Sequence, residues 1–506
     1  MNKRPNIILY LADDLGYGDI SYLNEHSKIK TENIDSLAEG GISFTDAHAC
    51  AALCSPSRYG VLTGRYNWRS ELKRGVLPAC APPLIEEGRE TIGSMLKANG
   101  YRTAAVGKWH LGMDWPTVGD WKPPKTFDEL NHEPMGIDYD KPIQNGPLTR
   151  GFDYFYGMAA SLDQPPFVII ENDRCLQKPD HYVGIKGFEP FIPGQYTLEY
   201  VDYGPCAADF DWQKVVPMMH DKVLELVDEY AAGEEPFFIY SPSPAVHGPL
   251  MPADEFIGKS GIGPYGDFVL QVDDFIGKLE KKLSDLGIAE NTIVIFTSDN
   301  GCAPIVDVPT LYRETGHNPC HVFRGTKFDI WEGGHRIPLV VNWPGTIKPG
   351  QSSDQTVCLT DLFSTIAEII GHHYGDGAGE DSVSNLPLWL GSDTPLREAL
   401  VHHSAKGMFS IRKDEWKLEL CAGSGGVSYP AEGRDDLSGL LPMQLYDLSR
   451  DVSERENLCE EYPQVVKELR DMLVSYIISG RSTPGEAQSN FSTYPNAWPG
   501  LAWLNI

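Results

Sequence analysis

The chain has 506 residues, of which 41% are hydrophobic and 22% are charged, values that are ordinary for a soluble globular protein. Its 42 Lys and Arg residues face 71 Asp and Glu residues, which gives a formal net charge of −29 at pH 7. Such a surface repels nucleic acid and anionic membranes, and no apolar run approaches the roughly 20 residues that span a bilayer, so neither is expected as a partner. If the substrate is an anion, cations must be gathered locally in its pocket.

Short apolar, β-branched runs alternate with longer helical patterns through about the first 390 residues. This alternation predicts an α/β fold, in which a large and mostly parallel sheet is covered by helices on both faces. The clearest predicted strands cover residues 6–11, 103–106, 236–240 and 292–296. The predicted helices cover residues 32–40, 90–99, 215–232 and 268–286, and several of them end at Gly or Asn, as a helix cap would require.

The pattern changes after about residue 390. Four short strands are predicted over residues 399–404, 408–412, 416–420 and 444–448, and a helix is predicted over residues 463–479. We therefore divide the chain into a main domain, 1–390, and a smaller C-terminal α+β domain, 391–506, that carries an antiparallel sheet.

Polar residues of catalytic type follow the four clearest strands within a few positions. In chain order they are Asp13 and Asp14, then Lys108 and His110, then His247, then Asp299 and Asn300. Ligands bind outside the carboxyl ends of the strands in an open parallel sheet. Four such placements at one edge predict a single site.

The acidic pairs within this set indicate a metal site. Asp13, Asp14, Asp299 and Asn300 offer three carboxylates and an amide oxygen. Oxygen ligands of this kind suit a hard divalent cation, Ca²⁺ or Mg²⁺, better than zinc. A single Asp after a strand is usually a cap or turn residue, but two matched pairs favour the metal.

Cys54 lies in the most specific motif of the chain, Cys-Ser-Pro-Ser-Arg, which Leu-Thr-Gly-Arg follows closely. Pro56 fits the first turn of a helix, so Cys54 is predicted at a helix N-terminus, where backbone N–H groups favour an anion. A lone cysteine is usually a small buried hydrophobic residue. The complete motif, however, is rare by chance.

With these motifs the chain resembles the formylglycine-dependent sulfatases of the alkaline-phosphatase superfamily, especially the arylsulfatase-like group that acts on sulfated sugars. The resemblance rests on Asp13-Asp14, the Cys54 motif, Gly107-Lys108-Trp109-His110, His247-Gly248-Pro249, Ser298-Asp299-Asn300-Gly301 and Arg324-Gly325-Thr326-Lys327. It implies an alkaline-phosphatase-like fold and the activity of a sulfuric ester hydrolase.

The resemblance also implies the chemistry of the site. A formylglycine-generating or anaerobic maturation enzyme would oxidise Cys54 to formylglycine, which hydrates to a diol. A calcium ion would be bound by Asp13, Asp14, Asp299 and Asn300, with the group derived from Cys54 as a further ligand. The metal would activate one hydroxyl of the diol for attack at sulfur, and Asp299 is implied as a residue that takes its proton.

The same resemblance assigns the charged residues that surround the reaction. Arg58 and Lys108 would stabilise the diol oxygens, and Lys327 would neutralise the sulfate oxygens. His247 is our choice for protonating the leaving alcohol, with Lys327 as its rival. His110 would take a proton from the second hydroxyl, so that the aldehyde re-forms and sulfate is expelled.

The predicted substrate is a sulfated saccharide, namely a galactose-type sugar of a sulfated polysaccharide or of its oligosaccharides. Asp163 lies in a segment that looks like one found in some sulfatases of galactose-type sugars, and Arg313 and His317 are predicted at the pocket rim. Because the chain is so acidic, we expect a narrow pocket that recognises one sulfated residue.

Two other functions are consistent with parts of this pattern. The nearest is a phosphonate monoester or phosphodiester hydrolase of the same superfamily, some of which carry a similar cysteine motif. The other is a sugar-binding protein with a decayed site, against which stands the full set of charged groups. No secretory signal precedes the first strand in this sequence, although a sulfatase of this kind is expected in the periplasm or outside the cell.

Overall fold

The computed structural model describes residues 4–130, 135–185, 201–491 and 498–502. Its helices are α1 (Glu32–Glu39), α2 (Cys54–Thr63), α3 (Ile92–Ala98), α4 (Trp212–Ala231), α5 (Pro264–Asp285), α6 (Val308–Thr315), α7 (Glu332–His335), α8 (Asp361–Ile370), α9 (Leu386–Trp389) and α10 (Pro463–Ser479). Its strands are β1 (Asn6–Ala12), β2 (Ile42–Phe44), β3 (Ala47–His48), β4 (Arg102–Lys108), β5 (Tyr154–Met158), β6 (Ile170–Glu171), β7 (Arg174–Cys175), β8 (Pro179–Val183), β9 (Gly204–Ala207), β10 (Phe237–Pro242), β11 (Thr292–Ser298), β12 (Leu339–Asn342), β13 (Gln351–Ser353), β14 (Val357–Cys358), β15 (Leu400–His403), β16 (Phe409–Lys413), β17 (Trp416–Glu419) and β18 (Gln444–Asp447). Within the described ranges, no helix has the length and apolar character needed to cross a membrane.

Ten strands form one large mixed sheet in the order β13–β2–β12–β11–β1–β10–β4–β5–β6–β7. The five strands from β11 to β5 run parallel, and Ile8 of β1 pairs with Ile239 of β10 on one side and Val294 of β11 on the other. Every residue of β1 is buried, which is typical of a parallel strand with helices on both faces. The predicted α/β fold with a large, mostly parallel sheet is confirmed.

The outer strands of this sheet were not predicted. β12 is antiparallel to both β11 and β2, and β6 is antiparallel to β5. The outer strands are two to four residues long. Segments this short carry too few side chains to show an alternating pattern, so the sequence signal is missing.

One predicted helix begins later than its sequence pattern suggested. We predicted a helix from residue 90, whereas α3 begins at Ile92 because Thr91 caps it. The Thr91 hydroxyl accepts the N–H of Ser94 over 3.0 Å, and the Ser94 hydroxyl accepts the N–H of Thr91 over 2.8 Å. This reciprocal capping satisfies two N–H groups at the helix start and fixes where the helix begins.

The C-terminal part contains the predicted antiparallel sheet, in the order β15–β16–β17–β18, with α10 packed on it. Leu469 and Leu473 of α10 share an apolar core with Phe409 of β16. Tyr66 and Trp68, from the N-terminal part, belong to the same core. The C-terminal sheet therefore packs directly against the segment after α2, while the domain boundary near residue 390 stays a prediction.

Candidate active site

The carboxyl ends of the parallel strands bring the predicted catalytic residues to one edge of the large sheet. Asp13 follows β1 directly, and its N–H and C=O groups bond to Ala245 (2.8 Å) and Val246 (2.7 Å) in the loop after β10. Asp299 follows β11, and its N–H donates to the carbonyl oxygen of Ala12 over 3.0 Å. Backbone hydrogen bonds between neighbouring strand ends thus position these residues before any side chain takes part.

Two buried oxygen atoms at this edge accept no hydrogen bond from the residues that the structure describes: Oδ2 of Asp14 and Oδ1 of Asn300. The amide of Asn300 donates to Oδ1 of Asp14 over 2.8 Å, so the two side chains lie side by side. One ligand atom from each of Asp13, Asp14, Cys54 and His247 falls within 4.8 Å of the others. Unpartnered buried oxygens are costly, and hard divalent cations prefer such ligands. The residues present therefore fit the predicted oxygen-coordinated cation.

Cys54 is the first residue of α2 and is almost fully buried beside the metal candidates. Its Sγ lies 3.5 Å from Oδ1 of Asp13. Leu53 at the N-cap provides no side-chain cap, so the first turn of α2 favours an anion beside Cys54. Burial raises the pKa of the Cys54 thiol to about 12, although Lys108 and Lys327 oppose it. The unmodified thiol thus stays protonated at neutral pH and is a poor nucleophile.

Three cations face three carboxylates in the buried cluster. The ion pairs join Lys108 Nζ to Asp13 Oδ2 (2.7 Å), Arg58 Nη2 to Asp299 Oδ2 (2.8 Å) and Lys327 Nζ to Asp14 Oδ1 (2.6 Å). None of the six side chains is more than 4% exposed. Because these charges balance, a divalent cation would leave the site with a net positive charge, which favours an anionic substrate.

Two carboxylates of this cluster, Asp13 and Asp299, have pKa values shifted in opposite directions. Burial by itself would raise the pKa of Asp13, but Lys108, His247 and Arg58 outweigh it and hold that pKa well below its usual range. Burial and the neighbouring Asp13 raise the pKa of Asp299 to about 6, with Arg58 opposing them. Crowded carboxylates with opposite shifts are common at functional sites.

His110 is held as a neutral base. Its Nε2 lies 2.8 Å from the carbonyl oxygen of Leu77, which can only accept, so Nε2 carries the proton. Its Nδ1 is buried and has no partner among the described residues, which leaves the lone pair free. Burial, Lys108 and Arg58 hold the pKa of His110 well below its usual range. His110 and Asp14 both have left-handed backbone angles, with φ of 53° and 63°, which cost about 1–3 kcal/mol each and often occur at active sites.

His247 lies at the mouth of the cluster, with its side chain 13% exposed. Its Nδ1 lies 2.7 Å from the carbonyl oxygen of Gly248, which can only accept, so Nδ1 carries a hydrogen and donates this hydrogen bond. Its Nε2 lies 3.7 Å from Oδ2 of Asp14, and its Nδ1 lies 3.9 Å from Oδ1 of Asp163. With Nδ1 bonded to a carbonyl oxygen, Nε2 is the ring nitrogen that faces Asp14.

The structure separates the three residues predicted to bind substrate. Asp163 lies beside His247, whereas Arg313 is exposed on α6, 3.7 Å from Glu314, and its contact with substrate stays a prediction. His317 is fully buried, with Nε2 2.8 Å from Asp19 and Nδ1 accepting the N–H of Lys28 over 3.3 Å. The structure does not support substrate binding by His317, because both ring nitrogens are engaged.

Two features near the site had not been identified from the sequence. Leu77 fixes the tautomer of His110 through a backbone oxygen, and a backbone contact leaves no mark on residue type. Gln164 has a buried Oε1 with no partner in the described part of the chain. Its position next to Asp163, a predicted substrate-binding residue, was the sequence feature that could have drawn attention to it.

A cavity of about 730 Å³ lies away from this cluster. It opens beside Arg102, the first residue of β4, and so lies at the amino ends of the parallel strands. The three cations of its lining are already paired, Lys97 with Asp153 (2.7 Å), Arg102 with Glu229 (2.5 Å) and Lys222 with Glu225 (2.5 Å). The convergence of charged side chains, and not the size of a cavity, therefore identifies the candidate active site.

The Sulfatase family model matches residues 5–372 of the chain. An N-acetylgalactosamine-6-O-sulfatase of Bacteroides thetaiotaomicron is 33% identical over 508 residues, covering 94% of this chain and 93% of that protein. Arylsulfatase A of Homo sapiens is 31% identical over 486 residues, covering 93% of this chain and 87% of that protein. A solved structure from work on glycosaminoglycan metabolism by Bacteroides thetaiotaomicron matches with a TM-score of 0.80 at 31% identity, covering 94% of this chain and 99% of that one.

Proposed function

Because the chain belongs to the sulfatase family and is a sulfuric ester hydrolase, we propose that it removes sulfate from a galactose-type sugar. The first candidate is 6-O-sulfated N-acetylgalactosamine, which the name of the bacterial relative supports. We also propose that a maturation enzyme converts Cys54 to formylglycine. The cation of the site would be calcium, held by Asp13, Asp14, Asp299 and Asn300.

The observation that carries this proposal is the position of Cys54 inside the buried ion-pair cluster. Its sulfur lies against Asp13, and Lys108 and Lys327 are close enough to affect its pKa. A formylglycine at this position would place its oxygens among the same cations. The hydrated aldehyde would supply a nucleophilic oxygen, and calcium, when bound, would supply a Lewis acid.

The cations of the chain would orient the reacting groups. Arg58 is fixed by two bonds to Asp299 and by a third, from Nη1 to the carbonyl oxygen of Lys108 over 2.8 Å. Asp14 and the nearby carboxylates hold the pKa of Lys327 well above its usual range against the effect of burial, so this residue stays charged beside the sulfate. Fixed charges that need no reorganisation stabilise a developing negative charge most effectively.

The two histidines are suited to opposite proton transfers. His247 has a polarised, partly exposed ring beside Asp14 and would protonate the leaving alcohol. His110 has a free Nδ1 lone pair and would accept a proton from residue 54 as sulfate departs. Separating the acid from the base in this way lets both steps proceed at neutral pH.

Asp163 is the structural reason for proposing sugar specificity next to the leaving group. Its Oδ1 is buried, accepts no hydrogen bond from the described residues and lies 3.9 Å from His247. A sugar hydroxyl beside the scissile ester would satisfy this oxygen. A site built to bond a hydroxyl discriminates strongly against sugars that lack it or orient it differently.

The test compares kcat/KM for the 6-sulfates of N-acetylgalactosamine and N-acetylglucosamine, which differ only in the orientation of one hydroxyl. We expect the galactose-type sugar to be preferred by at least about 10-fold, and Asp163→Asn to reduce that preference while leaving nitrophenyl sulfate turnover nearly unchanged. Equal turnover of the two sugars would refute the substrate assignment. Faster turnover of an aryl phosphodiester than of an aryl sulfate would favour the phosphodiesterase alternative.

His247→Ala should produce a defect that depends on the leaving group. We expect a loss of about 10²–10⁴-fold on a sugar sulfate, whose alkoxide needs a proton, and a much smaller loss on nitrophenyl sulfate. The measurement is kcat for both substrates with the same enzyme preparations. Equal losses on the two substrates would transfer the acid role to Lys327.

Calcium should stabilise the matured protein. After treatment with a chelator, added calcium is expected to raise the Tm, since a ligand at 100 times its Kd contributes about 2.7 kcal/mol. Asp14→Asn should remove this effect, whereas Asp436→Asn, on an exposed loop, should keep it. A matured wild-type protein whose Tm is indifferent to calcium would contradict the metal assignment.

We further propose that the enzyme acts in the periplasm or outside the cell, where it would encounter sulfated polysaccharides and their oligosaccharides. The support from this chain is its acidic surface, which disfavours binding to nucleic acid and to anionic membranes. Cell fractionation followed by detection of the chain would test the assignment, and recovery in the cytoplasm alone would contradict it.

A further inference from the structure

Lys327 lies in a tight turn, residues 326–329, which is here called the Lys327 turn. The N–H of Lys327 donates to the carbonyl oxygen of Cys302 over 2.8 Å, and the N–H of Phe328 donates to the carbonyl oxygen of Ala52 over 2.8 Å. Cys302 comes shortly after β11, and Ala52 lies just before α2. Two backbone hydrogen bonds therefore attach the Lys327 turn to two chain segments that carry the ion-pair cluster.

The Lys327 turn has a conformation that its own residues do not favour. Phe328 has a φ of 85°, in the left-handed region that residues other than glycine rarely adopt. Such backbone angles persist only where the surrounding contacts hold them. Loss of one of those contacts should therefore let the turn relax and displace the side chain of Lys327.

The carboxyl group of Asp329 is a buried contact that closes the turn. Its Oδ2 accepts the N–H of Thr326 over 2.9 Å and a short hydrogen bond from the hydroxyl of Ser428. Its Oδ1 accepts the N–H of Val427 over 2.9 Å and the N–H of Ser428 over 3.0 Å. Asp329 is 0% exposed, and all four donors are uncharged. Its side chain thus joins the Lys327 turn to a segment of the C-terminal part.

That C-terminal segment, residues 424–428, fits closely against the Lys327 turn. The carbonyl oxygen of Ser424 accepts the N–H of Ile330 over 2.7 Å. A Cβ on Gly426 would stand only 2.5 Å from the carbonyl oxygen of Phe328, so a glycine is needed for the two segments to approach this far. The segment after β17 therefore packs directly on the turn that carries the active-site lysine.

We propose that Asp329 is a positioning residue for the reaction: its bonds to the Lys327 turn and to residues 427–428 hold the Lys327 ammonium where sulfate would bind. The inference rests on the proposed role of Lys327 beside the sulfate. The ammonium of Lys327 lies 2.6 Å from Oδ1 of Asp14, and its place in the cluster depends on where the backbone of the turn lies. Small displacements of a positioned charge are costly for catalysis.

Position 329 needs two oxygen acceptors. Three of the four donors are backbone N–H groups, which cannot turn round to accept, and they approach both oxygens of the carboxyl group. An amide has one oxygen and one NH₂ group. In either orientation, Asp329→Asn therefore places the NH₂ group against at least one of these N–H groups. The variant keeps the volume of the side chain but weakens its hold on the turn.

The test is a double-mutant cycle of Asp329→Asn and Lys327→Met, with kcat/KM measured for nitrophenyl sulfate on preparations matured to the same extent. We expect Asp329→Asn alone to lower kcat/KM by about 10-fold, and Lys327→Met alone to lower it further than that. In the Lys327→Met background, Asp329→Asn should cost less than about 2-fold, because the ammonium that it positions is already absent. A merely structural defect would cost the same in both backgrounds.

Asp273→Asn is the matched control. Asp273 is 5% exposed and likewise accepts backbone N–H groups, those of Asn33 (3.1 Å) and Ile34 (2.9 Å), at the start of α1. Its replacement should lower the Tm but change kcat/KM by less than about 2-fold. Equal losses from Asp329→Asn with and without Lys327 would overturn the proposal, and so would an unchanged kcat/KM in the Asp329→Asn protein.

A milder variant decides the question if Asp329→Asn does not fold. Ser428→Ala removes the hydroxyl donor alone, and it should lower kcat/KM by about 2–3-fold with Lys327 present and not measurably in the Lys327→Met protein. Equal effects in the two backgrounds would again overturn the proposal. Unchanged kcat/KM in the Lys327→Met protein itself would refute the proposed role of Lys327 and this inference with it, which separates that failure from a failure of Asp329 alone.

Discussion

Replacement of Cys54 by alanine is expected to abolish sulfate ester hydrolysis, with a loss of at least about 10⁴-fold in kcat, because no atom remains to attack sulfur. The fold should survive, since the change removes one small buried thiol and costs about 1 kcal/mol. The measurement is kcat with nitrophenyl sulfate, together with the Tm of the same preparation.

Cys50→Ala provides the matched control for this experiment. Cys50 is also fully buried, and its Sγ lies 3.9 Å from the carbonyl oxygen of Pro56, in the first turn of α2. Its removal should lower stability by a similar amount and leave turnover nearly intact. Near-full activity in Cys54→Ala would rule out a nucleophile derived from residue 54.

The second large effect is expected for His110→Ala, which should slow turnover by about 10²–10⁴-fold and leave sulfate bound to residue 54. His110 is the neutral base with its Nδ1 lone pair free, so its loss should block sulfate release and spare the first transfer. Intact-protein mass after brief exposure to substrate would reveal the bound sulfate.

His220→Gln separates this effect from general loss of stability. His220 is another buried histidine, and its Nε2 lies 3.1 Å from the hydroxyl of Tyr10. Its replacement should lower the Tm without accumulation of sulfated protein. If the His110→Ala protein turned over slowly but, like the His220→Gln control, carried no bound sulfate, His110 would not be the base for sulfate release.

The elements closest to the chemistry were the easiest to predict from the sequence. The buried strand β1 is a continuous apolar run because both of its faces are covered, and Asp13 interrupts that run at the sheet edge. α10 covers residues 463–479, as its pattern indicated, since one of its faces packs on the C-terminal sheet. In both cases a local pattern reflects a local burial requirement.

The features that the sequence did not reveal depend on contacts between distant parts of the chain. His317 resembled a rim residue because its own neighbours are polar, but its partner Asp19 lies almost 300 positions earlier and draws it into the interior. Leu77 acts through a carbonyl oxygen that every residue type possesses. The outer strands form because they pair with neighbouring strands. With only two to four residues each, they are too short to show an alternating sequence pattern.

The most direct test of the account is the mass of the peptide containing residue 54 in a preparation that hydrolyses sulfate esters. The site geometry and the high pKa of the Cys54 thiol lead us to expect an aldehyde in place of the thiol. The aldehyde fraction should rise in proportion to specific activity across preparations matured to different extents. A fully active preparation in which residue 54 is entirely unmodified cysteine would contradict the proposed mechanism.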